Sequence, residues 1–471
     1  MKKILSLLLA ITMIVLCGAT LTSCGGGAMP NFVVPAEGFN TEEEVTITFY
    51  HTMGENLRAV LDDYIVEFNK LYPNIKVVHE QVGGYDDVRD QISTEISVGT
   101  QPNIAYCYPD HVALYNLAGA VVTLDPLMES TITVNRADGT TETLGFTSAQ
   151  VNDFIKGYYD EGRQFGNGLM YTLPFSKSTE VLYYNKTFFE EHDLKVPTTW
   201  AELEETCKKI KAIDPTSIPL GYDSEANWFI TMCEQYGSDY TSASGDHYLF
   251  NNKTNKNFVK MFRSWYDKGY VTTQTIHGGY TSALFTETKQ GETKSYMCIG
   301  SSAGASHQKP ADAAFEVGIT SVPQINPEKP KVISQGPSLC IFQNEDPQKV
   351  LASWLFVKFL TTSVEFQAEF SMESGYVPVL KSVAENELYA AFTAKADGYN
   401  YVTALSAKVC LEQQAAYYTS PAFNGSSTAR TQVELLFIKC LSASADSYGG
   451  DVDKLINAAF KEAIEECEYA G

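Results

Sequence analysis

Arg430 closes the run Phe423-Asn424-Gly425-Ser426-Ser427-Thr428-Ala429-Arg430, just ahead of a helical stripe through Val433, Leu436 and Phe437. A guanidinium placed there offers a planar fork of donors that suits a phosphate or a pair of hydroxyls. Ser301-Ser302-Ala303-Gly304 can present hydroxyls and amides to an oxyanion, as loops entering helices do. Trp228 and Tyr376 stand beside turn signals, where an aromatic face can cover the C–H surface of a polyol. Each also has an ordinary structural reading: a solvated charge, a capping loop, and packed aromatic rings. With 28 Tyr, 25 Phe and 4 Trp in the chain, residue type alone does not select a site.

Catalytic and metal chemistry find little support. The sequence has no H-E-x-x-H, no G-x-S-x-G and no phosphate loop ending in Gly-Lys-Ser/Thr. The seven histidines, His51, His79, His111, His192, His247, His277 and His307, are dispersed, and no C-x-x-C pair gives zinc spacing, so neither metal nor cofactor is expected. With 57 acidic residues, a pair of carboxylates suited to glycoside hydrolysis is not excluded by spacing, which keeps a surface glycan hydrolase as the alternative. Acidic residues outnumber the 34 Lys and Arg, giving a net charge of −23, so nucleic acid is an unsuitable partner.

The chain opens Met1-Lys2-Lys3 and continues as an apolar run from Ile4 to Leu16, the pattern of a secretory signal. Leu21-Thr22-Ser23-Cys24 resembles a bacterial lipobox, which makes 1–23 the signal peptide and Cys24 the lipidated residue that holds the protein at a membrane. Residues 24–44 are Gly-, Pro- and Glu-rich and read as a flexible tether. Eight further cysteines are widely spaced among mostly apolar neighbours, which fits disulfides and buried thiols equally.

From Val45 the pattern becomes regular. Val45–Tyr50 alternates as a strand, Leu57, Val60, Leu61, Tyr64, Ile65, Phe68 and Leu71 share a helical stripe, and Ile75–Val78 is a second strand, giving a βαβ unit. Asp86–Val98 reads as a helix and Asn103–Tyr108 as a strand. Leu169–Pro174 and Val181–Tyr184 read as strands, and Thr199-x-x-Glu202 is a capping box opening a helix to about Ala212. Asp346-Pro347 starts an apolar helix through Leu351, Leu355 and Phe359. The alternation predicts an α/β protein whose ligands bind beyond the carboxyl ends of the strands.

Several of these segments, in order, resemble the larger solute-binding proteins of ABC importers, the family of the maltose-binding and glycerol-3-phosphate-binding proteins. The segments are Leu173-Pro174-Phe175 with Val181–Lys186, then Pro197–Leu203, Gly291–Met297, Trp354–Leu360 and Gly375-Tyr376-Val377-Pro378-Val379. Phe49-Tyr50-His51-Thr52-Met53 and Pro174–Thr179 are most similar to the glycerol-3-phosphate-binding branch. The resemblance implies a two-lobed, periplasmic-binding-protein-like fold of type II, with the ligand cleft between the lobes. It places 45–178 plus 323–361 in the N-terminal lobe and 179–322 plus 362–471 in the C-terminal lobe, with crossings near residues 178, 322 and 361. It also implies that Tyr85, Ser178, Trp228, Ser301, Ser302, Gly336, Tyr376 and Arg430 contact the ligand. Where that branch has a carboxylate directly after a Tyr, this chain has Tyr108-Pro109-Asp110, so Asp110 is expected to serve one residue along. The expected partners are a small polar solute, a sugar or glycerol phosphate, and the permease subunits of the importer. The receptor itself is expected to be a monomer, lipid-anchored on the extracytoplasmic side of the bacterial membrane, without catalytic activity.

Overall fold

The structure, a computed structural model, describes residues 31–395 and 401–470. Residues 1–23, read as a signal peptide, and Cys24 lie outside the described residues. The strands are β1 (Val45–His51), β2 (Ile75–Gln81), β3 (Ile104–Cys107), β4 (Thr133–Asn135), β5 (Thr141–Thr143), β6 (Leu173–Pro174), β7 (Ser178–Asn185), β8 (Leu220–Tyr222), β9 (Val271–Thr273), β10 (Met297–Ser301), β11 (Val317–Ser321), β12 (Val332–Gln335), β13 (Ser338–Ile341) and β14 (Tyr417–Tyr418). They form two main sheets and one hairpin, and each main sheet is the centre of a lobe.

In the first lobe the order is β2-β1-β3-β13-β6, with β1 parallel to both β2 and β3, and β13 antiparallel to β3 and β6. Alternate residues serve opposite faces. Ile104, Tyr106, Leu339 and Ile341 pack with Phe68, Trp354, Phe356, Phe366 and Phe370 on one side, while Ala105, Cys107 and Cys340 pack with Val88, Ile92 and Val112 on the other. Covered on both faces, β3 and β13 carry no alternating polar positions, which is why they read as short apolar runs.

The second sheet runs β14-β12-β7-β10-β8-β9, with β11 added against β7. β7 is its centre. One edge pairs with β10 over Glu180–Tyr184; the other pairs with β12 at Ser178–Thr179 and then with β11 over Val181–Asn185. Helices Trp200–Ile213, Glu225–Tyr236, Lys253–Asp267, Ser426–Ser442 and Val452–Ala470 build its apolar core. The expected capping box is present: Thr199 Oγ1 accepts from the Glu202 amide, and the Glu202 carboxylate accepts from the Thr199 amide.

Two crossings fall later than the sequence suggested. Val322-Pro323 breaks β11, yet the chain returns as β12 to the same sheet, so it leaves the second lobe at Gly336-Pro337 rather than near residue 322. At Ser363 the chain stays in the first lobe, because Ser363 Oγ caps a new helix, Val364–Ser374, whose Phe366 and Phe370 sit in that lobe's core. The crossing expected near 361 therefore comes at Gly375-Tyr376, where Lys177 pairs with Val377. The segment read as a tether is also partly docked: Phe32 and Phe39 are buried in the first lobe's core, and Gln348 binds Gly38 and Asn40. All eight described cysteines are free and buried. Among the described residues no helix is long and apolar enough to cross a membrane.

Candidate functional site

A cleft of about 800 Å³ lies between the lobes. The first lobe supplies the start of helix Tyr85–Ile96, the turn Tyr108-Pro109-Asp110 that follows β3, and Glu161. The second lobe supplies the end of β12, the loop Thr419–Ala422 after β14, and the start of helix Ser426–Ser442 with Arg430 one turn in. Cleft-lining groups thus lie beyond strand ends and at helix N-termini, where backbone amides are unsatisfied and the helix dipole is positive.

The first-lobe wall is aromatic. The Tyr85 ring lies 4.7 Å from that of Tyr108, and the Tyr85 hydroxyl is 3.3 Å from that of Tyr376. Burial holds the phenols of Tyr85, Tyr108 and Tyr376 above their ordinary pKa, so they remain neutral hydrogen-bonding groups. Charges are mostly committed. Arg89 is bound to Asp86 and Asp90, Asp87 accepts from the Gly84 amide, and Glu161 is paired with buried Lys177. Arg430 differs: it donates to the Asn227 side-chain carbonyl and forms no ion pair among the described residues. Burial pushes the nearby Glu434 carboxyl up against the pull of Arg430. Five cleft-lining residues carry a buried polar atom with no partner in the protein: His111 Nδ1, Tyr240 Oη, Thr241 Oγ1, Ser334 Oγ and Gln335 Nε2.

Of the residues expected to touch ligand, Tyr85, Asp110 and Arg430 line this cleft together, and Tyr376 stands behind Tyr85. The others do not line it. Trp228 is fully buried, stacked on Tyr222 at 4.6 Å and packed against Phe262 and Phe437, so it belongs to the second lobe's core. Its place in the helix Glu225–Tyr236, rather than in a loop, turns it inward. Ser178 is buried in β7. Ser302 Oγ accepts from the Thr179 amide and Ser301 Oγ from the Ala303 amide, so both hydroxyls serve local structure. Gly336 forms the second crossing, with φ +89°; a Cβ there would meet the Ser176 carbonyl at 2.4 Å. Ser334, Gln335, Tyr240 and Thr241 had no sequence signal, since each lies in a short strand or loop with ordinary composition.

Comparisons with known proteins agree with this architecture. Residues 63–397 match the model of the bacterial extracellular solute-binding protein family. The sn-glycerol-3-phosphate-binding periplasmic protein UgpB of Shigella flexneri is 24% identical over 382 residues, covering 77% of this chain and 81% of that protein; UgpB of Escherichia coli K12 is 23% identical over the same lengths. Among solved structures, UgpB from Mycobacterium tuberculosis in complex with glycerophosphocholine superposes with a TM-score of 0.68 at 17% identity, over 90% of this chain and 99% of that one. The sugar-binding protein MalE from Xanthomonas citri superposes with a TM-score of 0.69 at 16% identity, over 90% and 98%. With more than half of its length matched to the family model, and the two-lobed fold its relatives share, the chain belongs to the bacterial extracellular solute-binding protein family.

Proposed function

We propose that this chain is the substrate-binding lipoprotein of an ABC importer, which captures a carbohydrate or a glycerol-3-phosphate-like solute by lobe closure and delivers it to a membrane permease. The observation that carries this reading is the interlobe cleft in which Arg430, without an ion pair among the described residues, faces a first-lobe wall of Tyr85 and Tyr108. A guanidinium fork suits a phosphate or vicinal hydroxyls, and aromatic rings suit the carbon skeleton of a polyol. Solute bound to both lobes favours the closed state by its higher affinity for that state, and a permease can recognise the closed form. The likeness to UgpB and to MalE supports both ligand classes.

Anchoring through Cys24 completes the reading. A diacylglycerol-modified Cys24 would keep the receptor on the extracytoplasmic side, within reach of its permease. Cys24→Ser should abolish acylation and give an uncleaved precursor or released protein; a mature-sized, membrane-bound band from that variant would refute the anchor.

Calorimetry against glycerol 3-phosphate, a glycerophosphodiester, maltooligosaccharides and monosaccharides tests the capture function. Saturable binding of one class, with the solute recovered intact after overnight incubation, is expected. Cleavage of the solute would instead favour the glycan hydrolase.

A further inference from the structure

Arg430 reaches the cleft on top of a buried polar chain that runs from Glu180 through Asn227. The Glu180 carboxylate, 1% exposed in β7, accepts from the Tyr222 hydroxyl at 2.5 Å and from Asn227 Nδ2 at 3.0 Å. The other end of the Asn227 amide, its Oδ1, accepts from Arg430 Nη2. Asn227 is 2% exposed, and its orientation is fixed: the NH₂ must face the carboxylate and the oxygen must face the guanidinium. The backbone around it is strained. Ser224, the residue that caps the helix and accepts from the Asn227 amide, has φ +129°, a conformation rarely adopted by a non-glycine residue. Such strain persists where the surroundings over-determine it, and it clusters at functional sites.

The residue type at 227 matters. A carboxylate in that place would pair with Arg430 and cancel its charge. An alanine would leave the guanidinium unheld. An amide holds it in place without an ion pair, while the Glu180 carboxyl stays one residue away.

We infer that Asn227, anchored by Glu180, is a positioning and specificity-determining residue that holds Arg430 as an unneutralised cation for an anionic group of the solute. This rests on the reading of the cleft as the solute site. Asn227 takes one of the five N–H donors of the guanidinium, which lines the cleft. The cleft's remaining charges, Asp86, Asp87, Asp110, Glu161 and Glu434 against Arg89, leave Arg430 as its one cation without a carboxylate partner among the described residues.

The test needs no knowledge of the natural solute. Guanidinium ¹H–¹⁵N spectra of the mature protein, with the Arg430 signals assigned through Arg430→Lys, are recorded for wild type, Asn227→Ala and the isosteric Asn227→Asp, and each is titrated with inorganic phosphate. Wild type should show slowed, dispersed Arg430 signals that shift with phosphate. Asn227→Ala should collapse them to the signals of a freely rotating side chain. Asn227→Asp should keep them dispersed but weaken the phosphate response roughly 30-fold or more, the low end of what losing a charge partner costs. A packing role alone would lower stability without moving either readout. Arg430 signals unchanged in Asn227→Ala, an equal phosphate response in Asn227→Asp, or no response in wild type would each overturn the inference. The importer-receptor reading fails by a different result, the absence of binding to any solute in the calorimetric panel.

Discussion

The ammonium of Lys177 lies 2.9 and 2.8 Å from the two carboxylate oxygens of Glu161, with both side chains buried at the point where all three interlobe crossings meet. Lys177 belongs to the first crossing; it also donates to the Gly336 carbonyl of the second at 3.0 Å, and its own backbone pairs with Val377 of the third. One residue thus ties together the three crossings that join the lobes. It also removes Lys177 from the list of cations open to a ligand.

Breaking this pair leaves a buried charge without a partner. Lys177→Met or Glu161→Gln should each lower stability by about 3–5 kcal/mol, whereas the double variant Lys177→Met/Glu161→Leu should recover much of that loss. Urea unfolding of the three variants measures it. Single variants as stable as wild type would show that the crossing does not depend on the pair.

Glu180 sets a pH dependence. Burial pushes its carboxyl from 4.5 up to about 7, against the pull of its hydrogen bonds from Tyr222 and Asn227 and of the Arg430 charge. The fold therefore disfavours the ionised form. This contribution to stability is fully present below about pH 4.5 and is lost as pH rises toward 7. Its size is about 3 kcal/mol. Unfolding free energies of wild type and Glu180→Gln across that window should diverge, with the variant showing the flatter profile. Parallel profiles would mean that burial does not shift Glu180.

Much of the architecture was legible because periodicity and capping are local. The βαβ unit at Val45–Val78, the capping box at Thr199 and Glu202, and the helix after Asp346 appear where their patterns put them. Crossings were less legible, because leaving a sheet and returning to it look alike in sequence: Val332–Gln335 reads the same whichever lobe it joins. Tyr85 and Arg430, near helix starts, do line the interlobe cleft. Trp228 and Ser302 were misplaced because an aromatic or a hydroxyl beside a turn carries no mark of which way it faces. Glu180 and Asn227 are ordinary in sequence and become meaningful only where β7 meets the helix Glu225–Tyr236 and the helix of Arg430.

Trp228 separates core from cleft. Trp228→Ala should cost about 3–5 kcal/mol of stability through the cavity left among Trp200, Tyr222 and Phe262. Trp228→Phe should bind solute as wild type does. A selective loss of affinity in the folded Phe variant, measured by calorimetry, would return Trp228 to the ligand.

Gly336 bears on the second crossing. Gly336→Ala forces a methyl group against the Ser176 carbonyl and Lys177 Cα and places alanine at φ +89°. A loss of about 1–3 kcal/mol is expected. Thermal melting checks it, and an unshifted melting temperature would contradict the crossing geometry.

Capture by closure around a solute in the cleft of Arg430 can be measured by small-angle X-ray scattering of the mature protein, with and without a saturating solute from the calorimetric panel. A smaller radius of gyration with solute is expected in wild type, and no change in Arg430→Ala at the same solute concentration. An unchanged radius in wild type at proven saturation would contradict it.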